Sequence, residues 1–527
     1  MIENRHNSNR NIIRRIIVRG NLVLDTPTCL GSGDADNLID LPLLRDTISN
    51  HALLTGSSVA GALRNYLREH NKGYQLKDYR HELVTKLFGD LFAYHNEVNI
   101  TDEKEKIKIK SQDNQSLLII DDSISNSTIQ TELRDSVKID SVTRTAADKA
   151  KYDLELLQAG TEFPLCFELL IEKGSDEPSL LKGLAIALQG LEPVEGLEQG
   201  EISLGIKKHR GFGRCHVNEW QVWQFDLTDH QQRLDWLKFE HWHSGLFPDY
   251  PTHTSIAKAL NVSLGEKDDQ REFCKIDATF TLASPLLIRS GQASNDKAPD
   301  VVHLKSRRNG ELKPVLSGTS LAGVLRHRAE KIVNTLTECK KPLVTKRIIK
   351  EIFGFVPDKK YQSEIEDIDQ NNEKAKASRL IVHESVIENT TDLVQNRIAI
   401  DRFTGGTLHG ALFNEQPIFP KKDTHLKLNL ELRNPEDYEI GLLLLLLKDL
   451  WTGDLPVGGT SSIGRGRLQG KDATITLRIK QEKRKLIIEQ SENNQSLIIR
   501  EDDPESTDNT AEYLQYFLDE LNKELKK

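Results

Sequence analysis

Apolar and polar positions set two strand-like openings in this chain, one near its start and one past its middle. Ile12, Ile13, Ile16, Ile17, Val18, Leu22, Val23 and Leu24 form a β-branched run, and Ile276, Ala278, Phe280 and Leu282 alternate with polar neighbours. Both patterns predict strands. The period then changes. Val59, Ala62, Leu63, Tyr66 and Leu67 fall at i, i+3, i+4, i+7 and i+8, and Leu321, Val324, Leu325 and Ala329 repeat that stripe, so a helix is expected after each opening strand. Small hydroxyl residues precede the stripes, and Ser57 or Ser58, with Thr319 or Ser320, are expected to cap them. Further strands are expected at Phe167–Ile171 and Leu426–Leu430, and helices at Leu180–Leu188 and Gly441–Trp451.

The two openings belong to an internal repeat. Leu54-Thr-Gly-Ser-Ser-Val-Ala-Gly-Ala-Leu-Arg64 returns as Leu316-Ser-Gly-Thr-Ser-Leu-Ala-Gly-Val-Leu-Arg326, with seven of eleven positions identical at an offset of 262. Leu87-Phe88-Gly89 matches Ile352-Phe353-Gly354, and Ile139-Asp140 matches Ile400-Asp401. Each copy closes on a Gly/Arg loop, Gly211-Phe212-Gly213-Arg214 and Gly464-Arg465-Gly466-Arg467. Each unit mixes element types and is too long for a solenoid repeat, so two fused domains are expected. The expected boundaries are 1–225 and 272–480 for the copies, with a linker and insertion at 226–271 and an acidic tail at 481–527. The order strand, helix, strands, helix, Gly loop predicts an α+β, ferredoxin-like (RRM-like) domain, whose open sheet face is a common RNA platform.

Charge qualifies that expectation. The 527 residues carry a formal net charge of −9, which argues against a phosphate ligand. Residues 501–527 hold nine acids and three bases, however, so the body is nearly balanced. Basic clusters at Lys207-Lys208-His209-Arg210 and Lys305-Ser306-Arg307-Arg308 remain available for phosphate contact. Five cysteines with no C-x-x-C pair indicate neither a disulfide framework nor a cysteine zinc site. No apolar run reaches the roughly 20 residues of a membrane span, so a cytoplasmic location and no membrane partner are expected.

The carrying motifs resemble the RAMP superfamily, and within it the Csm- and Cmr-type backbone subunits of type III CRISPR effectors. They are Ile39-Asp-Leu-Pro-Leu-Leu-Arg-Asp46 after a Gly-Ser-Gly stretch, the T/S-G-S/T-S-x-x-G helix starts, and the two Gly/Arg loops. Two copies in one chain look most like the double-backbone protein of a type III-D variant. The resemblance implies a subunit that holds CRISPR guide RNA among other effector subunits and cleaves the paired target RNA as a metal-dependent endoribonuclease. It also implies an extended hairpin, the thumb, in each copy, at Ile139-Asp140 through Asp153 and at Ile400-Asp401 through Glu415. Asp140, Thr143, Asp401 and Thr404 would begin the thumbs. Phe403, with Leu412 or Phe413, would be an apolar wedge.

By the same resemblance, Asp40 would support cleavage, with Mg²⁺ or Mn²⁺ as the metal, and an offset of 260 places Asp300 on Asp40. Asp36 and Asp296 form a fallback pair at that offset. A flipped nucleotide can present its own 2′-hydroxyl in line with the next phosphate, so the protein need not supply a nucleophile. Ser57, Ser58, Arg64, Lys207, Lys208, Arg210 and Arg214 in the first copy, and Thr319, Ser320, Arg326, Arg465 and Arg467 in the second, are the expected RNA contacts. Gly459–Arg465 lacks the G-K-[ST] of an NTPase loop. His241 and His243 are two apart with no further ligand at metal spacing. A backbone with dead carboxylate loops and a repeat-RNA processing endonuclease are the alternatives. The last usually needs a histidine-centred site, and no histidine recurs at matching positions.

Overall fold

The computed structural model describes residues 11–33, 41–74, 82–90, 115–140, 143, 145–194, 199–265, 268–290, 299–308, 310–357, 375–491, 496–502 and 510–527. The opening β-branched run is one strand, Ile12–Leu24, flanked by Glu162–Glu172 and Cys215–Asp226. Leu118–Ile120 completes a four-stranded antiparallel sheet beyond Glu162–Glu172. Taking the four strands in chain order, the sheet reads 2-3-1-4, with helices Gly56–Lys72 and Glu177–Gln189 in the two crossovers. That is the ferredoxin-like order. The helices cover one face, where Leu63, Leu67, Leu184 and Leu188 pack on Ile16, Val18, Phe163, Phe167 and Trp220.

The second copy repeats this plan. Phe273–Leu282 lies between Ile418–Arg433 and Leu468–Ile479, and Leu380–Val382 pairs with the outer side of Ile418–Arg433. Helices Gly318–Leu336 and Asp437–Trp451 cover the apolar face through Leu321, Leu325, Leu443 and Leu447. No described helix is long and apolar enough to cross a membrane.

Several expectations change. Thr55 and Ser317, not the serines or threonine after them, cap the repeated helices: their hydroxyls accept from the Ser58 and Ser320 amides at 3.3 Å. The glycine between is the first helical residue. The hairpins begin earlier than their repeated Ile-Asp pair, running Thr131–Ile139 to Ala146–Leu157 and Gln395–Ile400 to Thr407–Gln416. Asp140, Thr143, Asp401 and Thr404 therefore sit at the tips. Asp140 accepts from the Thr143 amide, and Asp401 from the Phe403 and Thr404 amides, all at 2.8 Å.

The segments outside the expected domain boundaries fold onto the copies. In 226–271, Trp236, Phe239, Phe247 and Tyr250 pack with Trp223 and Phe225 on the first sheet's second face. Buried Arg19 donates to the carbonyls of His241 and His243 from that face. The first sheet is thus covered, and it is not an open RNA platform. Past residue 481, Glu482–Gln490 and Leu497–Glu501 add strands to the second sheet. Helix Thr510–Lys526 then buries Phe517, Leu521 and Leu525 in the second core, so the acidic tail is a structural part of the second domain.

The copies meet backbone to backbone. A Cβ on Gly318 would lie 2.3 Å from the Arg210 carbonyl oxygen, and one on Gly211, at φ 86°, would lie 2.3 Å from the Glu384 amide. Polar groups seal the joint. Arg134 of the first hairpin and Arg308 of the second copy converge on Glu384, at 2.9 and 2.5 Å. Burial opposes the charge on Glu384, yet the two guanidiniums hold its carboxyl below the ordinary range. Glu132 extends the cluster to the Ser306 hydroxyl at 3.0 Å. On the far side, Lys275 reaches Glu201 at 3.2 Å, and the Tyr74 hydroxyl donates to Glu431 at 3.3 Å. The polar face of the second sheet is thereby turned onto the first copy.

Candidate nucleic-acid interface

The first hairpin, anchored through Arg134, stands over the second copy's repeated helix start. Between them runs a groove of about 1770 Å³. Ser317, Thr319 and Ser320 line one wall, Arg326, His327 and Lys331 continue it along the helix, and Lys346 and Lys350 come from the next helix. Lys138 and Tyr152 line the hairpin side, and Gly458–Ser461 of the second Gly loop closes one end. Eight Lys and Arg side chains line the groove against four Asp and Glu; with Arg134 paired to Glu384 and Arg328 to Asp449 behind the wall, six cations against four acids leave a small local positive excess in an acidic chain. Its chemistry is that of a polyanion track: cations, hydroxyls and helix-start amides, all suited to phosphate oxygens.

Thr319, Ser320 and Arg326 of the expected contacts line this groove. Arg326 donates to the Gly354 carbonyl at 3.1 Å. Lys207 lies 4.0 Å over the Tyr152 ring, and Arg210 bonds the Leu380 carbonyl at 3.4 Å. Burial first and Arg326 second lower the Arg210 pKa, so two cations from different copies stand near each other. In the first copy, Ser57 and Ser58 are exposed in the first helical turn, and Arg64 is 3.7 Å from Asp90.

Arg214 and Arg465 face inward instead. Arg214 is 7% exposed and its Nη1 meets the Nε2 of His383 at 3.4 Å. Arg465, 4% exposed, bonds Glu415 at 2.9 Å and Gln395 at 2.5 Å, tying the second Gly loop to the base of the second hairpin. Arg467 stays exposed. Sequence reasoning missed Lys346 and Lys350, although their i, i+4 spacing on a basic helix was a readable signal. It also missed Arg134 and Glu384, which no local pattern marks.

Asp36, Asp40 and Asp296 lie outside the described residues. Asp300 is exposed, and its Oδ2 accepts from the Asn414 amide at 2.8 Å. The next residue, Val301, pairs in parallel with Glu415 of the second hairpin, and Leu41, which follows Asp40, forms the matching parallel bridge with Leu154 of the first. In both copies the residue after the candidate aspartate thus pairs with that copy's own hairpin. Among the described residues no group of three His, Cys, Asp or Glu side chains could hold a metal ion. Asp300 alone does not make a metal site, and a Mg²⁺ there would need water or RNA oxygens to complete its shell.

The match to the RAMP superfamily model covers residues 21–216 and again 279–469. The chain belongs to the RAMP superfamily. The two matched regions correspond to the two ferredoxin-like units, so this is a tandem RAMP protein. RAMP proteins bind CRISPR RNA within multi-subunit complexes, and membership makes the chain a CRISPR-associated RNA-binding subunit. No curated protein matches it.

Proposed function

We propose that this RAMP protein is the guide-holding backbone of a type III CRISPR effector, most like the double-backbone protein of a type III-D variant, and that it cuts target RNA paired to the guide. The observation that carries the reading is the cationic groove between the first thumb and the second copy's helix start. A guide strand lying there would contact both copies through its phosphates, and the thumb above it would unstack a nucleotide. The second thumb presents exposed apolar side chains, Phe403 at its tip, 98% exposed, and Leu412 on its returning strand, 65% exposed.

At the unstacked nucleotide, the 2′-oxygen attacks the adjacent phosphorus, the P–O5′ bond breaks with the 5′-oxygen taking up a proton from water, and a 2′,3′-cyclic phosphate forms. Asp40 or Asp300 would orient the 2′-hydroxyl or accept its proton, help typically worth about 10²–10⁴ in rate. A divalent ion, Mg²⁺ or Mn²⁺, held jointly by the aspartate and RNA oxygens, would neutralise developing charge.

The test is cleavage of an end-labelled target by the purified ribonucleoprotein. Asp40→Ala and Asp300→Ala should each remove one product while target binding persists, and a 2′-deoxy substitution at either cut nucleotide should block that cut. Unchanged products in both variants would reduce the chain to a non-catalytic backbone. A cut in unpaired repeat RNA would instead favour a processing endonuclease.

A further inference from the structure

A further cavity of about 320 Å³ lies inside the joint between the copies, between Tyr66 and Glu201 on one side and Lys275 and Glu431 on the other. Most of its charges are matched. Glu201 pairs with Arg271 and Lys275, Glu431 with Arg433, and Glu69 with Arg433. Asp277 accepts from the Asn429 amide group.

Arg214 is the exception. Its guanidinium is buried, its Nε has no partner, and its one side-chain hydrogen bond runs to an uncharged ring. That ring, His383, is kept neutral because burial and Arg214 itself press its pKa to about 3. When His383 Nε2 accepts from Arg214, the proton must sit on Nδ1, and this buried Nδ1 also lacks a partner. Burial lowers the Arg214 pKa despite the through-space pull of Glu431, Asp25 and Glu201, none of which forms an ion pair with it among the described residues. Here that cation and His383 line the same cavity, with Lys208 exposed on its wall.

We propose that the cavity is a binding site for a small oxyanion of the phosphate class, held between Lys208 and the side of the Arg214 guanidinium turned away from His383. A guanidinium fork matches two phosphate oxygens, which a ring nitrogen cannot do. The volume accommodates a phosphate with bridging water. Because the ligand would touch both copies, it would tighten the joint. The source is either free phosphate or one phosphodiester of a bound RNA, and the site stands independently of the groove reading.

Calorimetric titration of the RNA-free full chain with inorganic phosphate, at ionic strength fixed with sodium chloride, tests the proposal. One saturable site is expected, together with a melting temperature that rises with phosphate and not with chloride. Arg214→Gln should weaken binding at least about tenfold, the factor that corresponds to about 1.4 kcal/mol. Lys208→Ala, at an exposed position, should weaken it while leaving the melting temperature in chloride unchanged, which keeps the test valid if Arg214→Gln does not fold. Competition with a short RNA assigns the source: displacement identifies the RNA backbone, and simultaneous binding identifies a free anion. Equal response to phosphate and chloride, or wild-type phosphate binding in Lys208→Ala and Arg214→Gln, overturns the proposal.

Discussion

Replacing Arg134 with Met would leave Glu384 buried with Arg308 as its remaining guanidinium. Breaking one arm of a buried ion cluster typically costs about 3–5 kcal/mol, and chemical denaturation of Arg134→Met should show a loss of that order. Arg134→Met combined with Glu384→Leu should recover part of it, because the buried carboxylate that has lost one of its two guanidiniums is then gone; no recovery would mean that Glu384 is not what Arg134 serves. Residue-level legibility was uneven for a related reason. A run of hydroxyls at Thr55-Gly-Ser-Ser58 offers three candidate caps, and pattern alone cannot say that the helix already includes the glycine. The aspartates could be ranked from the repeat, but the next residue's attachment to the hairpin rests on the Val301–Glu415 and Leu41–Leu154 pairings, which are made at long range.

Among elements, the strands and helices of the two sheets were legible because each buries one face and so shows its period. The hairpins were not fully so: Thr131–Ile139 is largely polar, with exposed positions on both faces, so its ladder leaves no alternation to read. The C-terminal helix was masked by charge, although Phe517, Leu521 and Leu525 sit at i, i+4 and i+8. Truncation after Asp502 should therefore uncover the Asp437–Trp451 helix and lower the melting temperature, with aggregation on light scattering; an unchanged melt would show that the helix adds nothing to the second core. On the groove, Lys346→Ala with Lys350→Ala should weaken RNA binding alike for all guide sequences and reduce the salt slope by about 1 for each phosphate no longer neutralised. A filter-binding series over salt reads this directly, and sequence-selective weakening would contradict a phosphate role.

For the whole molecule, the joint decides behaviour, and sequence could not show it because its partners are far apart in the chain: Arg134 and Glu384 are 250 residues apart. His383 and His209 are held neutral in the joint, chiefly by burial, with pKa values near 3 and 4 against an ordinary 6.5. A folded pKa below the unfolded one means that the unfolded chain binds more protons, so stability falls as pH drops from 6.5 toward those values. Glu431, at about 2 with Lys275 and Arg433 beside it, adds a further loss below its ordinary 4.5. The melting temperature should fall steadily between pH 6.5 and 4, and His383→Gln should flatten the upper part of that slope. A flat profile in the wild type would show that these rings are not buried neutral. Gly318→Ala tests the same joint sterically: a methyl 2.3 Å from the Arg210 carbonyl should cost about 1–3 kcal/mol, as overpacking does.

The backbone contact at Gly318 and Gly211 is made within one polypeptide, and that changes its mass action. Two separate subunits meeting through so many buried charges would part on dilution at a concentration set by their affinity. Joined through a segment folded onto the first sheet, the two units see each other at a fixed effective concentration that dilution does not alter. Their one-to-one ratio and their order along any bound strand are consequently set at synthesis, and neither depends on how much of the protein the cell makes.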